Sequence, residues 1–74
     1  MANFKYEIIE KIGTLSEAKK GWQKQLNLIA WHGHEPKLDI RKWSEDGSLM
    51  AKGITLSNDE AIKLRKLLVE RELK

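Results

Sequence analysis

The sequence contains no cysteine, which excludes disulfide bonds, thiolate zinc sites and cysteine nucleophiles. Proline occurs once and no low-complexity tract is present, while 41% of the residues are hydrophobic and 34% are charged. That composition is typical of a globular chain and not of a disordered one. Long apolar runs are also missing, and the first five residues lack the apolar core of a signal peptide. We therefore expect a cytoplasmic protein, with nucleoid association as an option, that makes no membrane contact.

The chain has 74 residues, enough for a single small domain over residues 1–74. A chain of this size buries only roughly 60% of its extended-chain surface. Small domains compensate with disulfides, metals or oligomerisation, and the first of these is excluded here. The length and the missing cysteines together predict an oligomer.

Apolar and polar residues alternate in four stretches, which predicts β-strands at about residues 4–12, 22–31, 37–43 and 49–56. Gly13 is expected to end the first strand, so that residues 14–20 form a polar loop. Gly53 lies inside the fourth strand and predicts a bulge or a bend there, and a bulge would exchange the two faces of the strand.

The start of a helix is the sharpest local signal in the chain. Ser57 can cap the first backbone amides of the helix, and Glu60 can reach back to the amide of Ser57. We expect this helix at about residues 58–73. The predicted fold class is therefore α+β, with a four-stranded antiparallel sheet followed by one C-terminal helix (ββββα).

Apolar residues cover a wider arc of this helix than burial against one sheet requires. The surplus needs a second apolar surface, and another copy of the chain supplies one through a two-fold contact. We therefore expect a homodimer. The predicted interface residues are Ile62, Leu64, Leu67, Leu68, Val69 and Leu73.

The face of the sheet opposite the helix is expected to be polar and to carry two tryptophans. Alternation places Trp31 on this face together with Lys37, Arg41 and Trp43. Flat rings beside cations can stack unpaired bases while the cations follow the phosphates. The alternative is that both indoles merely cover a thin sheet with their N–H groups in water. Trp22 has the parity of the apolar face, which favours a core or edge position.

Basic residues are concentrated in the middle of the chain. Residues 19–52 carry six Lys and Arg41 against four acidic residues, within a net charge of +3 for the whole chain. Lys19, Lys20 and Lys24 form a cluster that can be a phosphate-binding patch or simply solvated surface. Lys52 precedes Gly53, and a bulge there is expected to return Lys52 to the basic face.

No constellation of catalytic residues is present, so we expect no enzyme and no cofactor. His32 and His34 are spaced like a pair of metal ligands, but a turn with exposed imidazoles explains them better than a metal site does. Asp39 and Arg41 share a strand face, where an ion pair accounts for them better than acid–base chemistry.

A longer motif covers the third strand, the turn after it and the fourth strand. It reads Leu-Asp-Ile-Arg-Lys-Trp at 38–43, Glu-Asp-Gly at 45–47 and Lys-Gly-Ile-Thr-Leu-Ser at 52–57. This order and spacing resembles the transcriptional positive cofactor four family of single-stranded-DNA-binding coactivators, and within it the small bacterial YdbC-type members. The resemblance extends over about residues 21–73 and leaves residues 1–20 outside.

The resemblance implies a homodimer of four-stranded curved sheets whose helices contribute to the dimer contact. It also implies that single-stranded DNA lies along the exposed sheet face. Matched position by position, Arg41 corresponds to a DNA-contacting arginine and Trp31 to a stacking aromatic at the end of strand two. Lys52 corresponds to the basic residue before the Gly-Ile-Ser/Thr-Leu run.

The sequence therefore predicts a homodimer that binds single-stranded DNA with little sequence preference, in transcription regulation, replication or repair. Two alternatives remain open: a protein-interaction dimer that uses the aromatic face, and binding of single-stranded RNA. The predicted nucleic-acid-binding residues are Lys19, Lys20, Lys24, Trp31, Lys37, Arg41, Trp43 and Lys52.

Overall fold

The computed structural model describes residues 5–71 and consists of four β-strands followed by one α-helix. The strands form one antiparallel sheet in the order β1-β2-β3-β4, so every strand pairs with its neighbour in sequence. This arrangement confirms the predicted fold class. The elements are β1 (Tyr6–Glu17), β2 (Gln23–Trp31), β3 (Lys37–Trp43), β4 (Met50–Leu56) and α1 (Asn58–Arg71), with a single 3₁₀ turn (Lys19–Gly21) between β1 and β2.

The first strand is longer than predicted. It continues through Gly13 to Glu17, so the expectation of a loop over residues 14–20 is wrong for most of that segment. The reason is a series of three register shifts against β2, between Ile8 and Glu10, between Lys11 and Gly13, and between Thr14 and Ser16. Each shift inserts one residue into β1. Side chains that point to the same face of the sheet therefore recur about every three residues, and the expected alternation of apolar and polar residues is lost.

The side chains on the face opposite the helix are the most buried ones in the structure. Ile29 and Asp39 are fully buried, Asn27 is 1% exposed and Trp43 is 2% exposed. The expectation that this face of the sheet lies open to water is therefore wrong for much of its area. Bulges bend a strand and increase its twist, and Tyr6 near the start of the bulged β1 packs against Trp31 and Trp43 on this face.

The helix begins with the predicted capping box. The Glu60 amide donates to the Ser57 hydroxyl at 3.1 Å, and the Ser57 amide donates to the Glu60 carboxylate at 2.8 Å. Asp59 adds a negative charge in the first turn, where the helix dipole favours one. The helix is described as far as Arg71, so its predicted last turn, including Leu73, lies outside the described residues.

The other face of the sheet is covered only loosely by the helix. Leu26, Leu38 and Leu56 of the sheet line an open apolar cavity of about 500 Å³ together with Leu64 and Leu68 of the helix. None of the described helix residues is fully buried. Five of the six predicted interface residues are exposed: Ile62 by 60%, Leu64 by 38%, Leu67 by 51%, Leu68 by 45% and Val69 by 67%. Within residues 5–71, no helix is both long and apolar enough to cross a bilayer.

Candidate nucleic-acid interface

Trp31 and Arg41 lie together on the face opposite the helix, as the sequence predicts. Trp31 ends β2 and Arg41 lies near the end of the neighbouring β3. The guanidinium carbon of Arg41 is 4.7 Å from the centroid of the Trp31 ring, within cation–π distance. The cation and the flat ring therefore form one unit and do not act as separate surface groups.

Arg41 is held in this position by a buried carboxylate. Its Nε and Nη2 atoms donate to the two carboxylate oxygens of Asp39 at 2.6 and 2.8 Å, and Thr55 donates a further hydrogen bond to Asp39 at 2.9 Å. The side chain of Arg41 is 14% exposed and that of Asp39 is fully buried. The predicted ion pair is thus present, but in the interior of the face and not on its surface. A bidentate pair of this kind fixes the plane of the guanidinium.

Gly53 allows β4 to approach Arg41. It pairs with Arg41, and the register then shifts so that Trp43 pairs with Met50, which is the predicted bulge. A Cβ atom on Gly53 would lie 2.3 Å from the Cβ of Arg41 and 2.4 Å from the carbonyl oxygen of Ile40. The close approach also brings the carbonyl of Ala51 within 3.4 Å of Nη1 of Arg41. Glycine is therefore required beside the site.

A small opening lies next to the Trp31–Arg41 unit. Its volume is about 260 Å³, and Trp31, His32, Arg41 and Thr55 line it. His32 follows β2 directly in a turn and has a positive φ of 52°. The opening is where solvent reaches the cation and the ring, so a flat ligand can contact both there.

Tyr6 completes an aromatic cluster with the two tryptophans. Its ring centroid is 5.5 Å from that of Trp31 and 5.8 Å from that of Trp43, with interplanar angles of 42° and 49°. Sequence reasoning missed this residue as part of the site. The signal that would have found it is the β1–β2 register, in which Tyr6 is the direct partner of Trp31.

Trp43 is on the predicted face but is not exposed. Only 2% of it is accessible, and among the described residues its indole Nε1 has no hydrogen-bond partner. The expectation of a water-facing Trp43 is therefore wrong. Tyr6 of β1 covers part of its ring, with the two ring centroids 5.8 Å apart. In this structure Trp43 supports the cluster from within the core.

Amide side chains line the face along β2. The side-chain amide of Gln25 donates to Oε1 of Gln23 at 3.0 Å, and that of Asn27 donates to Oε1 of Gln25 at 3.2 Å. The carbonyl oxygen of Asn27 accepts no hydrogen bond from the described part of the chain, although Asn27 is buried. This face thus carries a row of three amide side chains along β2, followed by the apolar Ile29 and the aromatic Trp31.

The predicted phosphate-binding lysines fall on both sides of the sheet. Lys37 is exposed and pairs with Ile29, which places it on the aromatic face. Lys24 and Lys52 line an open depression together with Arg41 and with Ile40, which also borders the helix cavity. Lys52 therefore lies near Arg41, and its role in phosphate binding stays a prediction.

Sequence reasoning also missed Lys42 in that depression, where it is the cross-strand partner of Lys24. Lysines directly opposite one another repel, so this pair contributes nothing favourable to the sheet. The position of Lys42 beside Lys24 follows from the register between β2 and β3, which the sequence pattern alone does not provide.

Lys19 and Lys20 lie in the exposed 3₁₀ turn between β1 and β2. Lys20 has a positive φ of 67°, and the following Gly21 has one of 79°. A Cβ atom on Gly21 would lie 2.7 Å from a carboxylate oxygen of Glu45, so this turn packs against the acidic β3–β4 turn. Gly21 of this turn therefore lies against the side chain of Glu45.

Comparisons with known proteins agree with the motif in β3 and β4. A family model described as Transcriptional Coactivator p15 (PC4) matches residues 18–67. An uncharacterised protein from Treponema pallidum (strain Nichols) is 47% identical over 66 residues, which cover 89% of this chain and 78% of that protein. The matched region contains β2 to β4 and most of the helix. The chain belongs to the transcriptional coactivator p15 (PC4) family.

Proposed function

We propose that the chain binds single-stranded DNA with little sequence preference, by base stacking on its aromatic cluster and by contacts of basic side chains with phosphates. The observation that carries the proposal is the Arg41 guanidinium held over the Trp31 ring beside an opening to solvent. Stacking on aromatic rings tolerates every base, because each base has a flat face. The family is one of nucleic-acid-binding domains, which supports the same conclusion.

Arg41 and Lys37 have different roles in this proposal. The charge of Arg41 is balanced by Asp39, whereas Lys37 is exposed on the same face. We therefore assign the long-range attraction of phosphate mainly to Lys37 and the positioning of a ligand to Arg41. The net charge of +3 favours the approach of a polyanion in any orientation.

The functional unit in this proposal is a homodimer. The exposed apolar residues of the helix and the open cavity beneath it form a continuous apolar surface. Apolar patches of this kind on small chains mark interaction surfaces. A second copy placed there leaves the aromatic face free, because that face lies on the other side of the sheet.

Titration of a fluorescently labelled dT oligomer with the protein tests the binding. We expect anisotropy to rise and tryptophan fluorescence to be quenched, with a log–log salt slope of about −0.7 per phosphate neutralised. Lys37→Glu should weaken binding, and Lys63→Glu, an exposed reversal on the helix, serves as the matched control. Absence of any signal at low salt would overturn the proposal.

Two further titrations separate the alternative ligands. An RNA oligomer of matched sequence distinguishes a DNA binder from an RNA binder, since stacking and phosphate contacts by themselves do not sense the 2′-hydroxyl. A duplex of the same sequence hides the faces of its bases and should bind less tightly than the single strand. Equal affinity for the duplex would argue for simple charge attraction.

A further inference from the structure

Tyr6 is the most exposed residue of the aromatic cluster on the face opposite the helix. It is 36% exposed, whereas Trp43 is 2% exposed and Trp31 is intermediate. Trp31 also carries the Arg41 guanidinium over its ring. Tyr6 is therefore the member of the cluster with the largest fraction of its surface open to a ligand.

The geometry of the cluster leaves the Tyr6 ring available for stacking. Both tryptophan rings are tilted to it, by 42° and 49°, so neither is stacked flat upon it. Tilted contacts of this kind are favourable for aromatic pairs and hold a ring by its edge. A base that stacks on Tyr6 does not have to displace either tryptophan.

The position of Tyr6 is fixed by the backbone. Tyr6 is the register partner of Trp31, and the amide of His32 donates to the carbonyl of Lys5 at 2.7 Å. These contacts pin the start of β1 to the end of β2. Tyr6 is therefore presented on a strand, and a ring that is already positioned loses little conformational entropy when a ligand binds.

We propose that Tyr6 is a base-stacking residue and that β1 thereby contributes directly to the ligand-binding face. The inference rests on the proposed binding of single-stranded DNA. It adds a residue that lies outside the region of the family match, residues 18–67. In this arrangement a base stacks on Tyr6, whose ring lies between those of Trp31 and Trp43, in addition to the contacts proposed for Trp31 and Arg41.

Nitration with tetranitromethane tests the inference, because Tyr6 is the only tyrosine in the chain. The absorbance of 3-nitrotyrosine therefore reports on this residue alone, and trypsin releases it in the peptide of residues 6–11. We expect a saturating dT oligomer to protect Tyr6 from nitration. Anisotropy of the labelled oligomer in the same sample shows whether the complex has formed.

Substitutions distinguish stacking from simple coverage of Trp43. Tyr6→Phe keeps the ring and should retain the affinity, whereas Tyr6→Leu keeps an apolar cover without a ring and should weaken binding about 5- to 150-fold. Ile9→Ala removes an exposed apolar side chain from a bulge of the same strand and serves as the control.

The outcomes separate the two proposals. If the oligomer binds and Tyr6 is nitrated as fast as in the free protein, the inference is overturned while the proposed function stands. An unchanged affinity of a folded Tyr6→Leu variant overturns it in the same way. If the oligomer does not bind at all, both proposals fail. Should Tyr6→Leu not fold, the nitration of the wild-type chain still decides.

Discussion

The glycine at position 53 is required by its contact with β3. A side chain there would place a Cβ atom 2.3 Å from the Cβ of Arg41 and close to a backbone carbonyl, neither of which can move easily. We expect Gly53→Ala to lower the free energy of unfolding by about 3 kcal/mol, the upper range for overpacking. Urea denaturation followed by tryptophan fluorescence measures this change.

Gly13 provides the matched control, because a Cβ atom placed on it has no neighbour within 4 Å. Gly13→Ala should be neutral or should stabilise the protein by up to about 1 kcal/mol, since alanine has less backbone freedom to lose on folding. Equal destabilisation by both substitutions would show that the close approach of β4 to Arg41 has no energetic importance.

The buried ion pair predicts a second effect. Asp39→Asn leaves Arg41 without its counter-charge at 14% exposure, and removal of one partner of a buried pair costs about 3–5 kcal/mol. Partial exposure of Arg41 places the expected loss near the lower end of that range. The double variant Asp39→Asn/Arg41→Met removes both charges and should recover part of the stability. No recovery in a denaturation experiment would contradict this account.

Contacts between residues close in sequence could be predicted, and contacts across the sheet could not. The Ser57–Glu60 cap and the Asp39–Arg41 pair depend on separations of three and two residues, which a sequence displays directly. The burial of Trp43 depends on Tyr6, which is brought there by the register of a distant strand. Alternation assigns Trp43 to the correct face but carries no information about what covers that face.

The same dependence on contacts across the sheet explains why the full length of β1 was not predicted. Regular alternation identified β2 and β3 because successive side chains there point to opposite faces of the sheet. The three shifts in β1 break that rule after Ile8, and Gly13 then resembles a strand end. The residues inserted at these shifts, Ile9, Ile12 and Leu15, are ordinary strand residues that do not indicate a bulge, so the length of β1 could not be predicted.

The β3–β4 turn predicts a dependence of stability on pH. Asp46 accepts hydrogen bonds from the Ser48 amide at 2.9 Å, from the Ser48 hydroxyl at 2.7 Å and from the Ser44 hydroxyl at 2.9 Å. These bonds, that of the Ser48 amide foremost, lower the pKa of Asp46 from 3.8 to about 2. Because the folded pKa is the lower one, this stabilisation is complete above pH 3.8 and is lost as the pH falls toward 2.

We therefore expect the thermal midpoint of the wild-type protein to fall more steeply than that of Asp46→Asn between pH 5 and pH 2. Ser48→Ala removes the hydroxyl donor and keeps the amide donor, so its curve should lie between the other two. Thermal melts followed by circular dichroism at several pH values give the comparison. Parallel curves for all three proteins would be inconsistent with a role for this carboxylate.

At the scale of the whole molecule, the core lies on the side of the sheet away from the helix, and the helix side is incomplete. The most buried residues belong to the aromatic face, whereas the helix exposes most of its apolar residues. The wide apolar arc of the helix indicated such a surplus in advance. Sequence periodicity could not show that the other face would be covered, because that depends on the contact between Tyr6 of β1 and Trp43 of β3.

The proposed dimer leads to a test by mass. Val69 is 67% exposed, so Val69→Asp should leave the fold of the single chain unchanged while placing a charge in the proposed interface. We expect wild-type protein to sediment at twice the mass of an 8.6 kDa chain and the variant to shift toward the single-chain mass. Lys66→Glu on the same helix is the control for a change of charge alone. A wild-type protein that sediments as a monomer would exclude the dimer.

The interrupted pairing of β1 has a consequence for solubility. As the outermost strand of an open sheet, β1 is a potential template for fibril growth, and the inserted residues Ile9, Ile12 and Leu15 are 47%, 44% and 56% exposed. Amyloid stacking requires a straight, evenly spaced row of amides and carbonyls. The three register shifts within the twelve residues of β1 interrupt that row, so another chain cannot pair evenly along it. The same bulges therefore protect this edge of the sheet from fibril growth.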